Sequence, residues 1–201
     1  MTNRDKILDE VFFSVDGEFD GPYPPAHSML SVGVVAFTLR RGVLGEWSAN
    51  IEPLEGATMD PKVKREFWDK NPDAYAATLV NQQDPYQAMY GFRDFYRQFV
   101  TDRAGTFVEY PGPSDFFWCH WYFNRFLGEN PFGHSGQLGM KTYSAAVLKK
   151  PLRHSNKRNM PKRWFSSKLP HTHIALDDAR QQGHMAIRMM CEHLELPLPS
   201  L

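Results

Sequence analysis

The 201-residue sequence is poor in cysteine and has no long apolar run. Its two cysteines, Cys119 and Cys191, fit neither a disulfide framework nor a zinc-binding spacing. Residues 1–16, "MTNRDKILDEVFFSVD", contain no apolar stretch of signal-peptide length. No segment approaches the ~18 consecutive apolar residues of a membrane-spanning helix. These absences predict a cytoplasmic protein that does not bind a membrane.

The sequence also has no net charge, because 23 basic residues balance 23 acidic ones. The basic residues are unevenly distributed: residues 149–168 contain eight Lys or Arg and no acid. The same segment has two prolines and no clear hydrophobic period, which predicts a loop. Such a local excess of positive charge is typical of a protein that binds an anion at one place.

The composition, 42% hydrophobic and 14% aromatic, is that of a globular protein with a sizeable core. We expect one domain over residues 1–201, with its core at about 11–194. The apolar pattern predicts strands at 11–16, 29–39, 43–51 and 105–110, a short helical turn near 63–68, and helices at 84–100, 114–128 and 174–194. This order predicts an α/β fold of three layers, with a central mixed sheet flanked by helices.

Four carboxylates lie where predicted elements begin or end. Asp16 and Glu18 project from the same face at the end of the first strand, where each would raise the pKa of the other unless a cation neutralised them. Asp115 and Asp178 lie near the starts of two predicted helices. Such carboxylates can converge at one sheet edge, and their oxygens suit Mg²⁺ or Mn²⁺. Two ions about 3.5–4 Å apart would promote phosphodiester cleavage. Taken alone, the first pair is equally compatible with a solvated acidic turn.

These segments resemble the three motifs of a known enzyme superfamily. "VDGEFDG", the mid-chain Asp115 and "HTHIALDDAR" resemble the motifs of the DEDD-type 3′→5′ exonucleases, in the DEDDh subclass, whose third motif is His, four residues, then Asp. That superfamily includes oligoribonuclease and ribonuclease T and has an RNase H-like fold. The resemblance covers about residues 11–192 and is greatest to small single-domain bacterial and phage exoribonucleases.

The resemblance implies a role for each motif residue. Asp16, Glu18, Asp115 and Asp178 would hold two divalent cations, Mg²⁺ or Mn²⁺, and His173 would be the general base. The expected reaction is hydrolysis at single-stranded 3′ ends, of RNA in preference to DNA, with release of nucleoside 5′-monophosphates. A homodimer is common for domains of this kind, and whether this protein forms one is left open.

Other residues are expected to contact the substrate. By the resemblance, Gly17, Phe19 and Met29 around the first motif would hold the terminal nucleotide. In the basic segment, we expect phosphate contacts that make binding salt-dependent; the candidates are Arg158, Lys162 and Arg163. His171 is interpreted as incidental, with a phosphate contact as the alternative.

Several alternatives stay open. On a continuous helix Asp177 would lie ~40° from His173 and Asp178 ~140° away, so helix geometry favours Asp177, whereas the resemblance favours Asp178. Asp94 and Asp102 compete with Asp115 and are set aside on position alone. At the level of function, the alternatives are a DNA exonuclease of the proofreading or repair type and a non-catalytic nucleic-acid-binding module of the same fold.

Overall fold

The structure is a computed structural model that describes residues 2–100, 104–112, 114–169 and 171–200. Asp102, one alternative to Asp115, lies outside these residues. Both cysteines are buried free thiols. Among the helices in these ranges, none combines the length and apolar character needed to cross a bilayer.

The centre of the fold is a five-stranded sheet with the order β3-β2-β1-β4-β5. β1 pairs antiparallel with β2, and β2 with β3, while β1–β4 and β4–β5 are parallel. Every residue of β2 is buried, as its continuous apolar run predicts. The predicted mixed sheet is therefore confirmed; its strands are β1 (Phe12–Phe19), β2 (Met29–Thr38), β3 (Gly42–Asn50), β4 (Thr106–Glu109) and β5 (Gln137–Gly139).

Helices cover both faces of this sheet. The described helices are α1 (Asn3–Leu8), α2 (Pro61–Glu66), α3 (Pro72–Thr78), α4 (Pro85–Arg97), α5 (Ser114–Leu127), α6 (Met140–Leu148) and α7 (Ala175–His193). Successive strand side chains point to opposite faces, so Phe13 packs in the core under α4 and α5, and Phe12 in the core under α7. The two cores give the three layers that the sequence predicts.

Four elements were not predicted from the sequence. α1, α3 and α6 are short helices, and β5 has only three residues, so none carries a clear period of its own. The basic segment 149–168, predicted as a loop, contains three 3₁₀ turns: Leu152–His154, Lys157–Asn159 and Lys162–Trp164. The last turn is anchored by Trp164, which is completely buried.

The end of β1 and the start of α7 approach each other very closely. Gly33 of β2 lies opposite Asp16 in the β1–β2 ladder. A Cβ atom on Gly33 would overlap the backbone of Ala175 in the first turn of α7. Further along, the Ser14 hydroxyl donates to the carbonyl of Ala179 at 2.9 Å. This contact brings the third motif against the first.

Candidate active site

Three carboxylates from the first and third motifs meet at one edge of the sheet. Asp16, Glu18 and Asp178 each offer one oxygen, and these oxygens lie within 4.8 Å of one another. Glu18 is 7% exposed and Asp178 only 1%. Asp16 and Glu18 share a face of β1 because they are two residues apart, and Asp178 faces them from the first turn of α7.

Asp115 joins this cluster from the first turn of α5. It is 3% exposed, and its Oδ1 accepts a hydrogen bond from the backbone N–H of Gly17 at 3.1 Å. Its charge acts on Glu18, and that of Asp16 acts on it. Glu109, at the end of β4, accepts from the backbone N–H of Phe116 at 3.0 Å and so caps the start of the same helix.

The cluster is electrostatically unfavourable when all its members are ionised. Burial, followed by the charge of Asp178, raises the pKa of Asp16 to about 7. Burial and the three neighbouring carboxylates raise the pKa of Glu18 to about 10, and burial raises that of Asp115 well above its ordinary value. An all-oxygen donor set with this much negative charge fits hard divalent cations such as Mg²⁺ or Mn²⁺.

Asp178 also holds the loop that carries His173. Its Oδ1 accepts from the backbone N–H of Thr172 at 3.0 Å and its Oδ2 from that of His173 at 3.1 Å. His173 has a left-handed backbone with φ of 59°, and it precedes the N-cap of α7, Ile174. The residue is therefore not on the helix, which is why the helical-angle argument for Asp177 fails. Asp177 instead accepts from the Arg180 guanidinium at 2.8 Å.

The His173 ring is partly buried beside the carboxylate cluster. It packs edge-on against Phe67, with ring centroids 4.9 Å apart. Burial, then the charge of His171, lowers the pKa of His173. A lowered pKa keeps the imidazole neutral at neutral pH, with a free lone pair that can accept a proton.

The sequence is related to a known exonuclease. No family model matches it. It is 29% identical over 182 residues to the 3′-5′ DNA exonuclease Cap18 of Escherichia coli, covering 88% of this chain and 89% of that protein.

Two solved structures share the fold. The nuclease domain of 3′hExo, a DEDDh family member bound to rAMP, gives a TM-score of 0.70 with 12% identity, covering 95% of this chain and 96% of that chain. S. pombe Pop2p in its Mg²⁺- and Mn²⁺-bound form gives a TM-score of 0.59 with 13% identity, covering 95% and 87%.

The chain therefore shares the fold of these nucleases, and its sequence resembles a 3′-5′ DNA exonuclease along nearly its whole length. The RNase H-like fold that the sequence predicts is therefore confirmed.

Of the residues that the resemblance to the DEDD-type superfamily offered as nucleotide contacts, Met29 is wrongly predicted. Met29 is completely buried in the core, with its backbone N–H donating to the hydroxyl of Tyr122 at 2.8 Å, so its side chain has no surface for a nucleotide. Gly17 and Phe19 do lie beside the carboxylates. The half-buried Phe19 ring stacks on Trp118 with centroids 4.6 Å apart. Nucleotide contact by these two residues stays a prediction.

The structure does not bring the predicted Lys162 and Arg163 to the carboxylate cluster. The Arg163 guanidinium makes a bidentate ion pair with Glu192, at 2.7 Å from Nε to Oε2. Glu192 lies fourteen residues beyond Asp178 on α7, which is about 21 Å along a helix axis. Lys162 is in the same 3₁₀ turn. Arg158 is exposed in the preceding turn, and its phosphate contact stays a prediction.

Sequence reasoning missed the residue of the basic segment that does face the cluster, Lys157. Its Nζ donates to the side-chain oxygen of Gln181 at 2.9 Å and lies 4.9 Å from the centroid of the Tyr110 ring. Its charge acts on three carboxylates, those of Asp16, Asp115 and Asp178. The charge run indicated the segment, but only the folded chain selects the residue.

Two further contacts were missed. His171, interpreted as incidental, places its Nδ1 2.8 Å from Oδ2 of Asp178, so it belongs to the site. Gln182 donates from Nε2 to Oδ1 of Asp16 at 2.5 Å. A signal for Gln182 existed, because it lies four residues after Asp178 and therefore on the same side of α7.

Proposed function

We propose that this protein is a member of the DEDD-type superfamily and a metal-dependent 3′→5′ exonuclease, which acts on single-stranded 3′ ends, of RNA in preference to DNA, and releases nucleoside 5′-monophosphates. The observation that carries the proposal is the convergence of Asp16, Glu18, Asp115 and Asp178, from three distant segments, beside a histidine with a lowered pKa.

The four carboxylates would hold two divalent cations, Mg²⁺ or Mn²⁺. The donor chemistry supports this assignment, because the raised pKa values of Asp16, Glu18 and Asp115 show that Lys157 alone does not supply enough positive charge for the carboxylates to ionise together. When bound, such cations lower the pKa of a water and stabilise the charge on the leaving oxygen.

Residues of the chain would accept the proton, stabilise charge and position the carboxylates. His173 would accept the proton of the attacking water at a ring nitrogen, while Asp178 fixes the backbone that carries this ring. Lys157 would provide a fixed positive charge beside the carboxylates, where a substrate phosphate must enter. Gln182 would fix the rotamer of Asp16 through its side-chain amide.

DNA is the second candidate substrate. The sequence relative Cap18 is a 3′-5′ DNA exonuclease, and at 29% identity it resembles this chain more closely in sequence than 3′hExo does. The preference for RNA rests on the motif resemblance to exoribonucleases. RNA and DNA substrates should therefore be compared in the same assay.

The test is a product ladder on 5′-labelled single-stranded RNA and DNA of matched sequence, with Mg²⁺, Mn²⁺ or EDTA. We expect progressive shortening from the 3′ end, release of nucleoside 5′-monophosphates, and no reaction in EDTA. Faster shortening of the RNA supports the first candidate, and faster shortening of the DNA supports the second.

The matched control is Asp16→Asn, which keeps the side-chain shape but removes a carboxylate from the cluster. We expect it to lower turnover by at least about a hundredfold while oligonucleotide binding persists. No metal-dependent shortening of either strand would refute the proposal and leave the non-catalytic binding module. Activity that survives both EDTA and Asp16→Asn would refute the assignment of the metal ligands.

A further inference from the structure

A second group of metal-binding side chains adjoins the carboxylate cluster. His171, His173 and Asp178 each offer one ligand atom, and the three atoms lie within 4.8 Å of one another. The two imidazole rings have their centroids 4.3 Å apart and are inclined at 68°. Two ring nitrogens and one carboxylate oxygen are therefore close enough together to be candidate ligands of one ion.

The donors of this group differ from those of the carboxylate cluster. Imidazole nitrogen suits Zn²⁺ and its transition-metal neighbours, whereas Mg²⁺ prefers oxygen ligands and retains its water. Three protein ligands with a fourth position open to water are a common arrangement for Zn²⁺. The donor set would thus select a different metal from the one that supports the reaction.

Two of the three ligand atoms are slightly closer together than they would be around one ion. Nδ1 of His171 lies 2.8 Å from Oδ2 of Asp178. Tetrahedral Zn²⁺ with bonds of about 2.0–2.2 Å holds its ligand atoms about 3.3 Å apart, so a shift of about half an ångström opens the position. His171 is 49% exposed and can make this movement, while Asp178 is 1% exposed and fixed by the backbone of residues 172 and 173.

We propose that His171, His173 and Asp178 form an inhibitory site for Zn²⁺ or a similar transition-metal ion. The ion would occupy the ring nitrogen of His173 that accepts a proton and would share Asp178 with the activating cations. The inhibitory role rests on the proposed exonuclease function, whereas the binding of Zn²⁺ to these three residues does not.

Metal binding is tested without reference to activity. Zn²⁺ is titrated calorimetrically into the full-length protein in excess Mg²⁺, and Co²⁺ is titrated in parallel as a spectroscopic probe. We expect one tight site and the strong visible absorption of four-coordinate Co²⁺. His171→Gln should weaken binding by about tenfold or more and abolish this absorption.

The matched control is His134→Gln, the same change at an exposed histidine outside the group; it should bind both metals as the wild type does. Thermal melts compare the folding of the two variants. Unchanged Zn²⁺ affinity in His171→Gln, or weak six-coordinate Co²⁺ absorption in the wild type, would overturn the proposed site.

Inhibition is then measured on a labelled oligonucleotide in Mg²⁺. Zn²⁺ should inhibit the wild type and His134→Gln at the same concentration and His171→Gln only at about tenfold more. Activation by Zn²⁺, or equal inhibition of all three proteins, would overturn the inhibitory role. If no protein cleaves in any metal, the proposed function fails, and the binding titrations alone decide whether the metal site exists.

Discussion

At the scale of single residues, the ammonium group of Lys157 faces the same carboxylates that would bind cations. Its backbone N–H donates to the Tyr110 hydroxyl at 2.9 Å, and its Nζ is fixed by Gln181 and the Tyr110 ring. Burial lowers the pKa of Lys157, and the nearby carboxylates counteract this effect. One built-in positive charge thus offsets part of the repulsion within the cluster.

Replacing Lys157 by Met should change metal affinity and turnover in opposite directions. Loss of the positive charge removes its repulsion of a divalent cation, so we expect Mn²⁺ affinity to rise about fivefold. Loss of the same charge beside the reacting phosphate should lower kcat by on the order of 10- to 100-fold. Calorimetric titration of Mn²⁺ and steady-state kinetics at saturating metal measure the two effects.

The matched control is Lys6→Met, because Lys6 is exposed on α1, which precedes the other end of β1. It should change neither quantity. The prediction requires the two quantities to move in opposite directions. If Mn²⁺ affinity and kcat both fall in Lys157→Met, as they would in a protein that has lost its fold, the role given to this charge is contradicted.

The residues that sequence reasoning found and missed differ in one physical respect. Asp16 and Glu18 were predicted to lie together from their two-residue spacing on a strand, and Asp178 was predicted from the motif resemblance against the local helix geometry. Lys157 and His171 were missed because their partners are set by the folded chain, which no local pattern encodes. The wrong prediction of Met29 has a different cause: the apolar run of β2 predicts that its side chains are buried, and the prediction followed the resemblance instead.

At the scale of secondary-structure elements, the site depends on how closely α7 approaches the sheet. The carboxylates of β1 and α7 can meet only if the start of α7 lies against β2 at Gly33, opposite Asp16. The backbone of Ala175 occupies the space that a Cβ would need. A single glycine thus sets the distance between two motifs that are far apart in the sequence.

Gly33→Ala should therefore displace the start of α7 and lower activity. We expect a stability loss of about 1–3 kcal/mol from the overlap. Turnover should fall by on the order of tenfold to a hundredfold, because a displacement of about 1 Å at the reacting groups has effects of this size. Denaturant unfolding and kinetics at saturating Mg²⁺ measure the two effects.

Gly139→Ala is the control for this prediction. The φ of Gly139 is −78°, and an added Cβ would make only ordinary contacts of 3.7 Å. It should leave both quantities near their wild-type values. Wild-type turnover in Gly33→Ala would show that the spacing of α7 and β2 does not set the carboxylate geometry.

The same dependence on packing explains which elements could be predicted. The runs that became β1, β2, α4, α5 and α7 carry a clear period and bury a face against the sheet. β5 and α6 are short and follow a turn-rich segment, so neither has a clear sequence pattern. β5 forms by pairing with the free edge of β4. The helices on the two faces of the sheet could therefore be predicted from the sequence, whereas the edge strand β5 could not.

At the scale of the whole molecule, the carboxylate cluster should make stability without metal fall as the pH rises. The folded-state pKa values of Asp16 and Glu18 are about 7 and about 10, above their ordinary values of 3.8 and 4.5. Between these limits the folded state retains protons that the unfolded state has released, so the free energy of unfolding decreases with rising pH. At lower pH both states are protonated, and this cost disappears.

Thermal melts in EDTA at about pH 6 and about pH 9 should therefore show a lower Tm at the higher pH, by about 2–4 °C per kcal/mol lost. Mn²⁺ should raise the Tm more at the higher pH, because it binds ionised carboxylates and stabilises only the folded state. Glu18→Gln removes a carboxyl group with a strongly raised pKa while retaining the shape of the side chain. In EDTA at the higher pH it should melt above the wild type, yet it should lose turnover and part of the Mn²⁺ effect. A Glu18→Gln protein that melts below the wild type under these conditions would mean that repulsion among the carboxylates is not what limits stability.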